Sequence, residues 1–289
     1  MIERIATPSK TKEIIEQNAF YFKKNYGQNF LIDANVLQNM ISAADISDQD
    51  FVLEIGPGIG SLTQFLAENA KNVVAVEIDD HLIPILKETV GGYDNLTIIH
   101  SDVLKLDLGK LIAEKNHGNP IKVAANLPYY ITTPILMELL EKEYPITSIT
   151  VMVQREVADR MQAAPGSKDY GALSVAVQFY STPHPDFIVP PACFMPRPKV
   201  DSAVITLHIG QNHRPEVTDR AFFFRIVKSA FAQRRKTLVN TLSATAGLSC
   251  TKEELLSVLE TLHLSPTVRG ETLSVEQFAS LANALYPYR

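Results

Sequence analysis

The 289-residue chain has the composition of an ordinary globular protein, with 46% apolar residues, 20% charged residues and a formal net charge of −5. This composition excludes a collagen-like repeat, a long coiled coil and a low-complexity tail. A chain of this length is typical of one large domain plus a smaller one, and it can bury a core without disulfides or structural metal ions.

The N-terminus and the cysteines indicate where the protein works. The first twenty residues lack the apolar core of a secretory signal peptide. No apolar run approaches the ~18 residues that a membrane span needs. Cys193 lies in a Pro-rich stretch without a His or Cys neighbour at the spacing of metal ligands, and we interpret Cys193 and Cys250 as buried thiols in a reducing compartment. We therefore predict a cytoplasmic protein without a membrane segment.

Short apolar runs alternate with helix-like stretches through the first half of the chain. The runs are FVLEI (51–55), VVAVEI (73–78), LTIIH (96–100), IKVAAN (121–126) and ITVMV (149–153). This alternation predicts βαβ units and a parallel sheet covered on both faces. Two later runs, LSVAVQFY (173–180) and SAVITLHI (202–209), have no helix-like stretch between them. They predict an antiparallel pair of strands that closes the sheet edge.

The sequence changes to helical patterns from about residue 211. The run 221–243 predicts one helix, and capping signals at Thr251 and Ser274 predict the starts of two more. This segment carries a charge of +3, whereas the rest of the chain carries −8. We therefore predict an α/β domain over residues 1–210 and a small basic helical domain over residues 211–289.

Three glycines, Gly56, Gly58 and Gly60, follow the first apolar run and precede a helix-like stretch. Glycine permits the positive φ of a tight turn and lets a ligand approach the backbone. The spacing is G-x-G-x-G and differs from the G-x-G-x-x-G of dinucleotide-binding loops. The loop alone is therefore compatible with either a structural turn or a cofactor site.

Two acidic residues add weight to the cofactor interpretation. Glu77 ends the second strand, where a doubly wound sheet presents acceptors to a ribose diol. Asp102 follows the third strand and can accept a hydrogen bond from an adenine amino group. Each acid alone also suits a surface charge, but together with the glycine loop they predict an adenosine site. This arrangement resembles the class I S-adenosylmethionine-dependent methyltransferases, which implies a Rossmann-like sheet and S-adenosylmethionine as the methyl donor.

The fourth strand ends in Asn126-Leu127-Pro128-Tyr129, four residues that we call the tetrad. An exocyclic base amine is a poor nucleophile, so methyl transfer needs acceptors for its N–H groups, which the Asn126 amide oxygen and the Leu127 carbonyl can supply. Pro128 restricts the direction of that carbonyl. Tyr129 offers a ring that stacks on an extruded base, and Phe194 is a candidate for the opposite face of the base, although it also suits core packing.

The predicted reaction does not call for a metal ion. Displacement at a methyl group on a sulfonium needs in-line alignment rather than a Lewis acid or a covalent intermediate. The seven histidines form no H-x-x-x-H or similar ligand pair. We therefore predict no metal requirement.

Further motifs extend the resemblance over nearly the whole chain. They are YGQNFLID (26–33), LEIGPGIGSLT (53–63), VVAVEID (73–79), ANLPYYITTPI (125–135), QREVADRM (154–161), YGALSV (170–175), FMPRPKVDSAV (194–204) and FAQRRKTL (231–238). This combination resembles the KsgA/RsmA family of small-subunit ribosomal RNA adenine N6,N6-dimethyltransferases. The match is less recognisable after about residue 245.

The family resemblance implies a substrate and further pocket residues. It places Asn29 and Leu31 in the cofactor pocket beside Gly56, Glu77, Asp102 and Asn126. It implies that the substrate is two adjacent adenosines in the hairpin loop near the 3′ end of 16S rRNA. Each adenosine would receive two methyl groups within the immature small ribosomal subunit, late in its assembly.

A basic stretch between Arg220 and Lys236 holds six basic residues and no acidic one. Such a run is typical of a phosphate-contacting face, although a solvated helix face has the same composition. We predict that rRNA phosphates contact Arg225, Lys228, Arg234, Arg235 and Lys236. Lys23 and Lys24 are weaker candidates.

Several alternatives stay open at this point. A large-subunit rRNA adenine methyltransferase of the antibiotic-resistance type shares the fold and the tetrad, although the Leu127 and Tyr130 context favours the small-subunit enzyme. A ribosome assembly factor whose catalysis is dispensable is the alternative of another class. A DNA adenine methyltransferase is disfavoured because no segment resembles a sequence-reading domain, and a nicotinamide oxidoreductase because of the glycine spacing. The helical tail has no heptad seam, which predicts a monomer.

Overall fold

The computed structural model describes residues 3–22, 27–210 and 214–289. Tyr26, at the start of the YGQNFLID motif, and the candidate RNA contacts Lys23 and Lys24 lie outside the described residues. Within the described part of the chain, no helix has the length and apolarity that a membrane crossing requires.

The chain divides into two compact units. The first comprises the described residues up to Ala158 together with Pro183–Ile209, and the second comprises Asp159–Thr182 and the described residues from Gly210 onward. The predicted division at 210/211 differs from this, because Asp159–Thr182 groups with the C-terminal helices.

The first unit contains a seven-stranded sheet. In spatial order its strands are β4 (Leu96–His100), β3 (Asn72–Glu77), β2 (Phe51–Ile55), β5 (Ile121–Asn126), β6 (Ile146–Gln154), β9 (Ser202–Ile209) and β7 (Ser181–Val189). The first five strands are parallel, and β9 runs antiparallel to β6. All five residues of β2 are buried, as a parallel strand covered on both faces requires. The predicted Rossmann-like α/β fold is confirmed.

Four helices connect the parallel strands as βαβ units require: α3 (Ser61–Asn69), α4 (Leu82–Thr89), α5 (Leu108–Asn116) and α6 (Thr132–Glu141). Helices α1 (Pro8–Gln17) and α2 (Ala34–Ala43) precede β2, and α7 (Arg155–Gln162) follows β6. A separate two-stranded sheet pairs β1 (Phe30–Leu31) with β8 (Phe194–Met195) in antiparallel register. This pair brings the motif at 26–33 against the motif at 194–204.

The second unit is helical. Its remaining helices are α8 (Ala172–Tyr180), α9 (Arg220–Ala230), α10 (Leu238–Thr245), α11 (Lys252–Thr261) and α12 (Val275–Leu285). The predicted starts at Thr251 and Ser274 are confirmed, because each residue caps its helix in a capping box with the side chain three positions later.

The predicted strand at 173–180 is wrong, because this run forms α8. A short, continuous apolar run fits a buried strand and a buried helix equally well. The helix starts where the Gly171 N–H donates to the Ser174 hydroxyl oxygen at 3.0 Å, and seven of its nine residues are buried. The antiparallel partner of β9 is therefore β6, and its other neighbour is β7.

The predicted single helix over 221–243 is interrupted. Helix α9 ends at Ala230, a turn occupies residues 231–236, and α10 begins at Leu238. A residue distant in sequence stabilises the interruption, because the Leu238 N–H donates to the Val268 carbonyl at 2.7 Å. Local periodicity does not reveal such a distant partner.

Candidate functional site

A cleft in the first unit lies at the carboxyl ends of the parallel strands. Its empty volume, including its open mouth, is about 1070 Å³. Seven of the eight predicted cofactor residues line it, and these are Asn29, Leu31, Gly56, Gly58, Glu77, Asp102 and Asn126. The same cleft is lined by Leu127, Pro128 and Tyr129. The structure thus brings the cofactor motifs and the predicted reacting tetrad to one place.

The glycines of the loop serve different purposes. Gly56 has a φ of 70°, and a Cβ built on it would meet nothing within 4 Å, so its side is open for a ligand. Gly60 has a φ of 93° and does not line the cleft. A Cβ on Gly60 would lie 2.9 Å from a Val90 methyl carbon, so this glycine permits close packing against the end of α4. The predicted cofactor contact of Gly60 is therefore replaced by a structural role.

Glu77 is held rigidly at the end of β3. Its Oε2 accepts the Gly58 N–H at 3.1 Å and its Oε1 accepts the Asp79 N–H at 2.9 Å. Burial raises the pKa of this carboxyl, and the backbone hydrogen bonds oppose that effect. The two oxygens together offer four lone pairs, and the backbone N–H groups of Gly58, Ile78 and Asp79 use at most three, so the carboxylate keeps an acceptor position for a ligand hydroxyl.

Asp102 lies at the cleft after β4, as predicted. Its Oδ1 accepts the Leu104 N–H at 3.0 Å, and its Oδ2 lies 3.5 Å from the Lys105 ammonium. These contacts fix the carboxylate in a tight turn, and its side chain keeps 23% exposure. It is therefore accessible to a hydrogen-bond donor in the cleft.

Two polar residues of the site were not predicted from the sequence. Glu54, inside the apolar run FVLEI, lines the cleft although it is only 1% exposed. Burial raises its pKa to about 8, with Glu77 adding to the effect. Gln28 also lines the cleft, and its side-chain nitrogen donates to the Asp79 carboxylate at 2.9 Å. A charged residue within an apolar strand is the available sequence signal for Glu54.

The tetrad presents two acceptors to the cleft. The Asn126 side-chain nitrogen donates to the Asn29 carbonyl at 3.1 Å, which leaves the amide oxygen as the open end of the group. The Leu127 N–H donates to the Met152 carbonyl at 3.2 Å. Within the described ranges, no hydrogen bond occupies the Asn126 amide oxygen or the Leu127 carbonyl. The two oxygens are available to a substrate amine.

The ring of Tyr129 is fixed beside these acceptors. Its hydroxyl lies 2.8 Å from the Ser202 hydroxyl, and burial raises the pKa of the phenol. The next residue, Tyr130, also lines the cleft and is 54% exposed. An anchored aromatic ring at the cleft is suited to stack on a planar base.

The expectation that Phe194 faces the base is wrong in this structure. Phe194 does not line the cleft and is only 2% exposed. It is paired with Leu31 between β8 and β1, and both side chains belong to one apolar cluster of the core. Directly paired residues in a sheet project to the same face, so the pairing that buries Leu31 also buries Phe194.

The predicted RNA contacts of the second unit fall into two groups. Arg225 and Lys228 are exposed on α9, and Arg235 and Lys236 are exposed in the turn at 231–236. Arg234 is also exposed, at 46% of its side chain, but its guanidinium is engaged by groups of the same unit. Its guanidinium donates to the Glu271 carboxylate at 3.2 Å and to the Lys168 and Tyr170 carbonyls.

One polar group has atoms close enough to share a metal ion. Ligand atoms of Asp79, Asp80 and His81 lie within 4.8 Å of one another. The His81 ring nitrogen is 2.5 Å from an Asp80 oxygen and 3.3 Å from an Asp79 oxygen. These contacts explain the cluster as a hydrogen-bonded turn before α4, and the absence of a metal requirement stays a prediction.

Comparison with known proteins identifies the family. The family model described as ribosomal RNA adenine dimethylase matches residues 19–286. The chain belongs to this family. Membership confirms the predicted resemblance and identifies the chain as an S-adenosylmethionine-dependent methyltransferase.

Relatives within the family are similar over their whole length. The chain is 55% identical to ribosomal RNA small subunit methyltransferase A of Alkaliphilus oremlandii, covering 98% of this chain and 99% of that protein. It is 53% identical to the protein of the same name in Streptococcus sanguinis, covering 98% of each.

Two solved structures share the fold. A dimethyladenosine transferase from Plasmodium falciparum matches with a TM-score of 0.72 at 27% identity, over 87% of this chain and 95% of that one. The 23S rRNA methyltransferase ErmE matches with a TM-score of 0.67 at 25% identity, over 89% and 99% of the respective chains.

The residues at the cleft fit the cofactor of the family. The open side of Gly56 leaves room for a ligand against the backbone, and Glu77 and Asp102 offer acceptors on successive strands. A fully buried oxygen of Glu54 also has no hydrogen-bond partner within the described residues. A ligand with hydroxyl, amino and cationic groups matches this set of donors and acceptors.

Proposed function

We propose that this chain transfers methyl groups from S-adenosylmethionine to N6 of two adjacent adenosines in the 3′-terminal hairpin loop of 16S rRNA. The product is N6,N6-dimethyladenosine at both positions, formed late in small-subunit assembly. The observation that carries the proposal is the pair of open acceptors, on Asn126 and Leu127, beside the cofactor cleft. The shared name of the relatives at more than half identity supports the choice of the small subunit.

The tetrad accounts for the chemistry at the adenine amine. The Asn126 oxygen and the Leu127 carbonyl accept the two N–H groups, which draws the nitrogen lone pair out of the ring system. Tyr129 stacks on the extruded base and offsets the stacking lost from the RNA. Bound S-adenosylmethionine supplies a methyl group on a sulfonium. The amine nitrogen would take the methyl group, the electron pair of the S–C bond would stay on the sulfur, and the amine proton would pass to water.

The remaining cleft residues hold the methyl donor in line. Glu77 accepts from the ribose hydroxyls, and Asp102 accepts from the adenine amino group of the cofactor. Asn29 and Leu31 enclose the cofactor from β1 and the segment before it. The entropic cost of aligning the methyl donor with the adenine amine is thereby covered by binding, before the reaction begins.

The second unit supplies RNA affinity in this proposal. Arg225, Lys228, Arg235 and Lys236 contact rRNA phosphates, while Arg234 maintains the turn that carries two of them. The partner is 16S rRNA within the immature small subunit. The enzyme acts in the cytoplasm as a monomer and without a metal ion.

A methylation assay with four substrates tests the proposal. The purified protein is incubated with labelled S-adenosylmethionine and either small ribosomal subunits, naked 16S rRNA, large subunits or duplex DNA. The proposal predicts labelled dimethyladenosine from unmethylated small subunits. Label confined to large-subunit RNA would instead identify the antibiotic-resistance type, for which the similarity to ErmE is the supporting observation. Full activity after EDTA treatment is also expected.

A role in assembly that does not need catalysis is tested separately. An Asn126→Ala protein expressed in cells that lack the native protein should bind precursor subunits but leave the adenosines unmethylated. Normal subunit maturation with this variant, combined with failed maturation in its absence, would make assembly the larger function.

A further inference from the structure

Three buried polar atoms on β2 and α3 have no hydrogen-bond partner among the described residues. They are Oε2 of Glu54 and the hydroxyl oxygens of Ser61 and Thr63. These residues are 1%, 6% and 0% exposed, respectively. Glu54 and Ser61 line the cleft, whereas Thr63 does not. Because an unsatisfied buried polar atom is costly and rare, the atoms of Glu54 and Ser61 indicate a group that the protein binds there.

The position of Glu54 connects this cluster to the cofactor cleft. Glu54 lies two residues before Gly56, and both Glu54 and Ser61 line the cleft. Its register partners are Ala75 on β3 and Ala124 on β5, which are small and uncharged. The carboxyl therefore has no partner within the sheet and is presented to the ligand space.

Among the residues that the structure describes, no cation contributes to the pKa of Glu54. Glu77 is the charged group that acts on Glu54, and the Thr63 hydroxyl is the group of α3 that acts on it. The nearest cation along β5, Lys122, is paired with Asp50 at 3.1 Å. Burial raises the pKa of Glu54 to about 8; the Thr63 hydroxyl lowers this pKa in part, and the charge of Glu77 raises it by a smaller amount. The carboxyl therefore holds a proton at neutral pH in the cofactor-free protein.

The two forms of the cofactor differ in charge. S-adenosylmethionine carries a positive sulfonium, and after methyl transfer the electron pair of the broken S–C bond leaves a neutral thioether on S-adenosylhomocysteine. Their amino, carboxylate, ribose and adenine groups are the same. A buried carboxyl that can gain or lose a proton distinguishes these two ligands by charge alone.

We propose that Glu54 is a charge-sensing residue that releases its proton to solvent when S-adenosylmethionine binds and regains one when the methyl group has left. This inference rests on the proposed function, because it assigns Glu54 a part in the same cofactor cycle. The ionised carboxylate offsets the sulfonium charge, whereas the neutral carboxyl suits the thioether product. Glu54 thus favours the methyl donor over the spent product.

A difference in pH dependence follows from this coupling. Below the pKa of Glu54, binding of S-adenosylmethionine must also remove a proton, so its Kd falls as the pH rises from 6 to 8. The Kd of S-adenosylhomocysteine changes less, because no sulfonium favours the ionised carboxylate. The α-amino group contributes equally to both ligands and cancels in the comparison.

Calorimetric titration of both ligands tests the inference directly. The wild-type chain is titrated at pH 7 in two buffers of different ionisation enthalpy, which gives the number of protons released on binding. S-adenosylmethionine should release more protons than S-adenosylhomocysteine, by up to about one proton per chain. In Glu54→Gln the difference should vanish, and the ratio of the two Kd values should no longer change with pH. Glu88→Gln, at an exposed carboxyl on α4, should retain both effects.

The outcomes separate this inference from the proposed function. Equal proton release for both ligands in the wild-type chain would overturn the charge-sensing role and leave the methyltransferase proposal intact. A difference that persists in Glu54→Gln would assign the proton to another group and overturn the role of Glu54. Failure of the wild-type chain to bind S-adenosylmethionine would overturn both. The wild-type comparison does not depend on the folding of any variant.

Discussion

The side-chain nitrogen of Asn126 donates a hydrogen bond to the main-chain oxygen of Asn29, across a distance of 3.1 Å. This bond joins the end of β5 to the segment before β1, two motifs that lie 97 residues apart in the chain. Because the amide nitrogen is committed to Asn29, the amide oxygen is the end left for the substrate. The same bond therefore orients the acceptor and positions a wall of the cofactor cleft.

Substitution of Asn126 should separate catalysis from cofactor binding. Asn126→Ala removes the acceptor for the adenine amine and should lower methyl transfer by about 10²–10³-fold. The Kd of S-adenosylmethionine should rise by a much smaller factor, since Asn29 and Glu77 remain. Single-turnover rates and calorimetric titration measure the two quantities. A variant that loses binding and transfer in equal proportion would show that Asn126 acts mainly on the cofactor.

Tyr129 and Phe194 should respond to truncation in different ways. Phe194→Ala leaves a cavity in the core and should lower the free energy of unfolding by about 3–5 kcal/mol. Tyr129→Ala should instead weaken stacking on the base and lower the transfer rate by about 10–100-fold, with the fold retained. Tyr129→Phe keeps the ring and loses only the bond to Ser202, so it serves as the control. Denaturant unfolding and the methylation rate are measured for each variant. If Phe194→Ala had normal stability but impaired methyl transfer, Phe194 would act in the substrate site and not in the core.

The buried Glu54 should make folding stability depend on pH. Its pKa is 4.5 in an ordinary environment and about 8 in the folded chain, so only the folded chain keeps this proton between these two values. Stability from this group is complete below about pH 4.5 and is lost as the pH rises towards 8. Glu54→Gln should therefore gain stability relative to wild type at pH 8.5, on the order of a few kcal/mol, and much less at pH 5. Urea unfolding of both proteins at the two pH values checks this. An equal difference at both would contradict it.

The basic residues of the second unit should divide into binding and structural groups. When the logarithm of the RNA-binding constant is plotted against the logarithm of the salt concentration, Arg235→Ala and Lys236→Ala should each make the slope shallower by about one unit. Arg234→Ala should leave that slope nearly unchanged, because its guanidinium is bound to Glu271 and two carbonyls. It should instead lower the stability of the chain by about 1–3 kcal/mol. Binding is measured at several salt concentrations, with thermal unfolding alongside. A large slope change in Arg234→Ala alone would reverse this assignment.

Much of the first unit can be predicted from local sequence patterns. The predicted runs at 51–55, 96–100 and 121–126 coincide with β2, β4 and β5, because apolar strands between amphipathic helices leave a clear pattern. Motif positions also place seven of the eight cofactor residues at the cleft, since the carboxyl ends of parallel strands meet at one edge.

The predictions from the sequence that differ from the structure concern residues whose structure depends on contacts distant in the chain. The run at 173–180 is apolar without a period, so its helical state depends on the packing of α8. Phe194 is buried because β8 pairs with β1, and Arg234 is engaged because Glu271 lies beside it. The altered pKa of Glu54 likewise depends on burial that no local pattern reveals.

The stoichiometry of methyl transfer is the decisive measurement for dimethylation of two adjacent adenosines. Wild-type protein and Asn126→Ala are each incubated to completion with unmethylated small subunits and labelled S-adenosylmethionine, and the label per subunit and the modified nucleosides are determined. We expect four methyl groups per subunit with the wild-type protein, all in two adjacent dimethyladenosines of 16S rRNA, and none with the variant. Monomethyladenosine as the final product, label in another RNA, or full transfer by Asn126→Ala would contradict it.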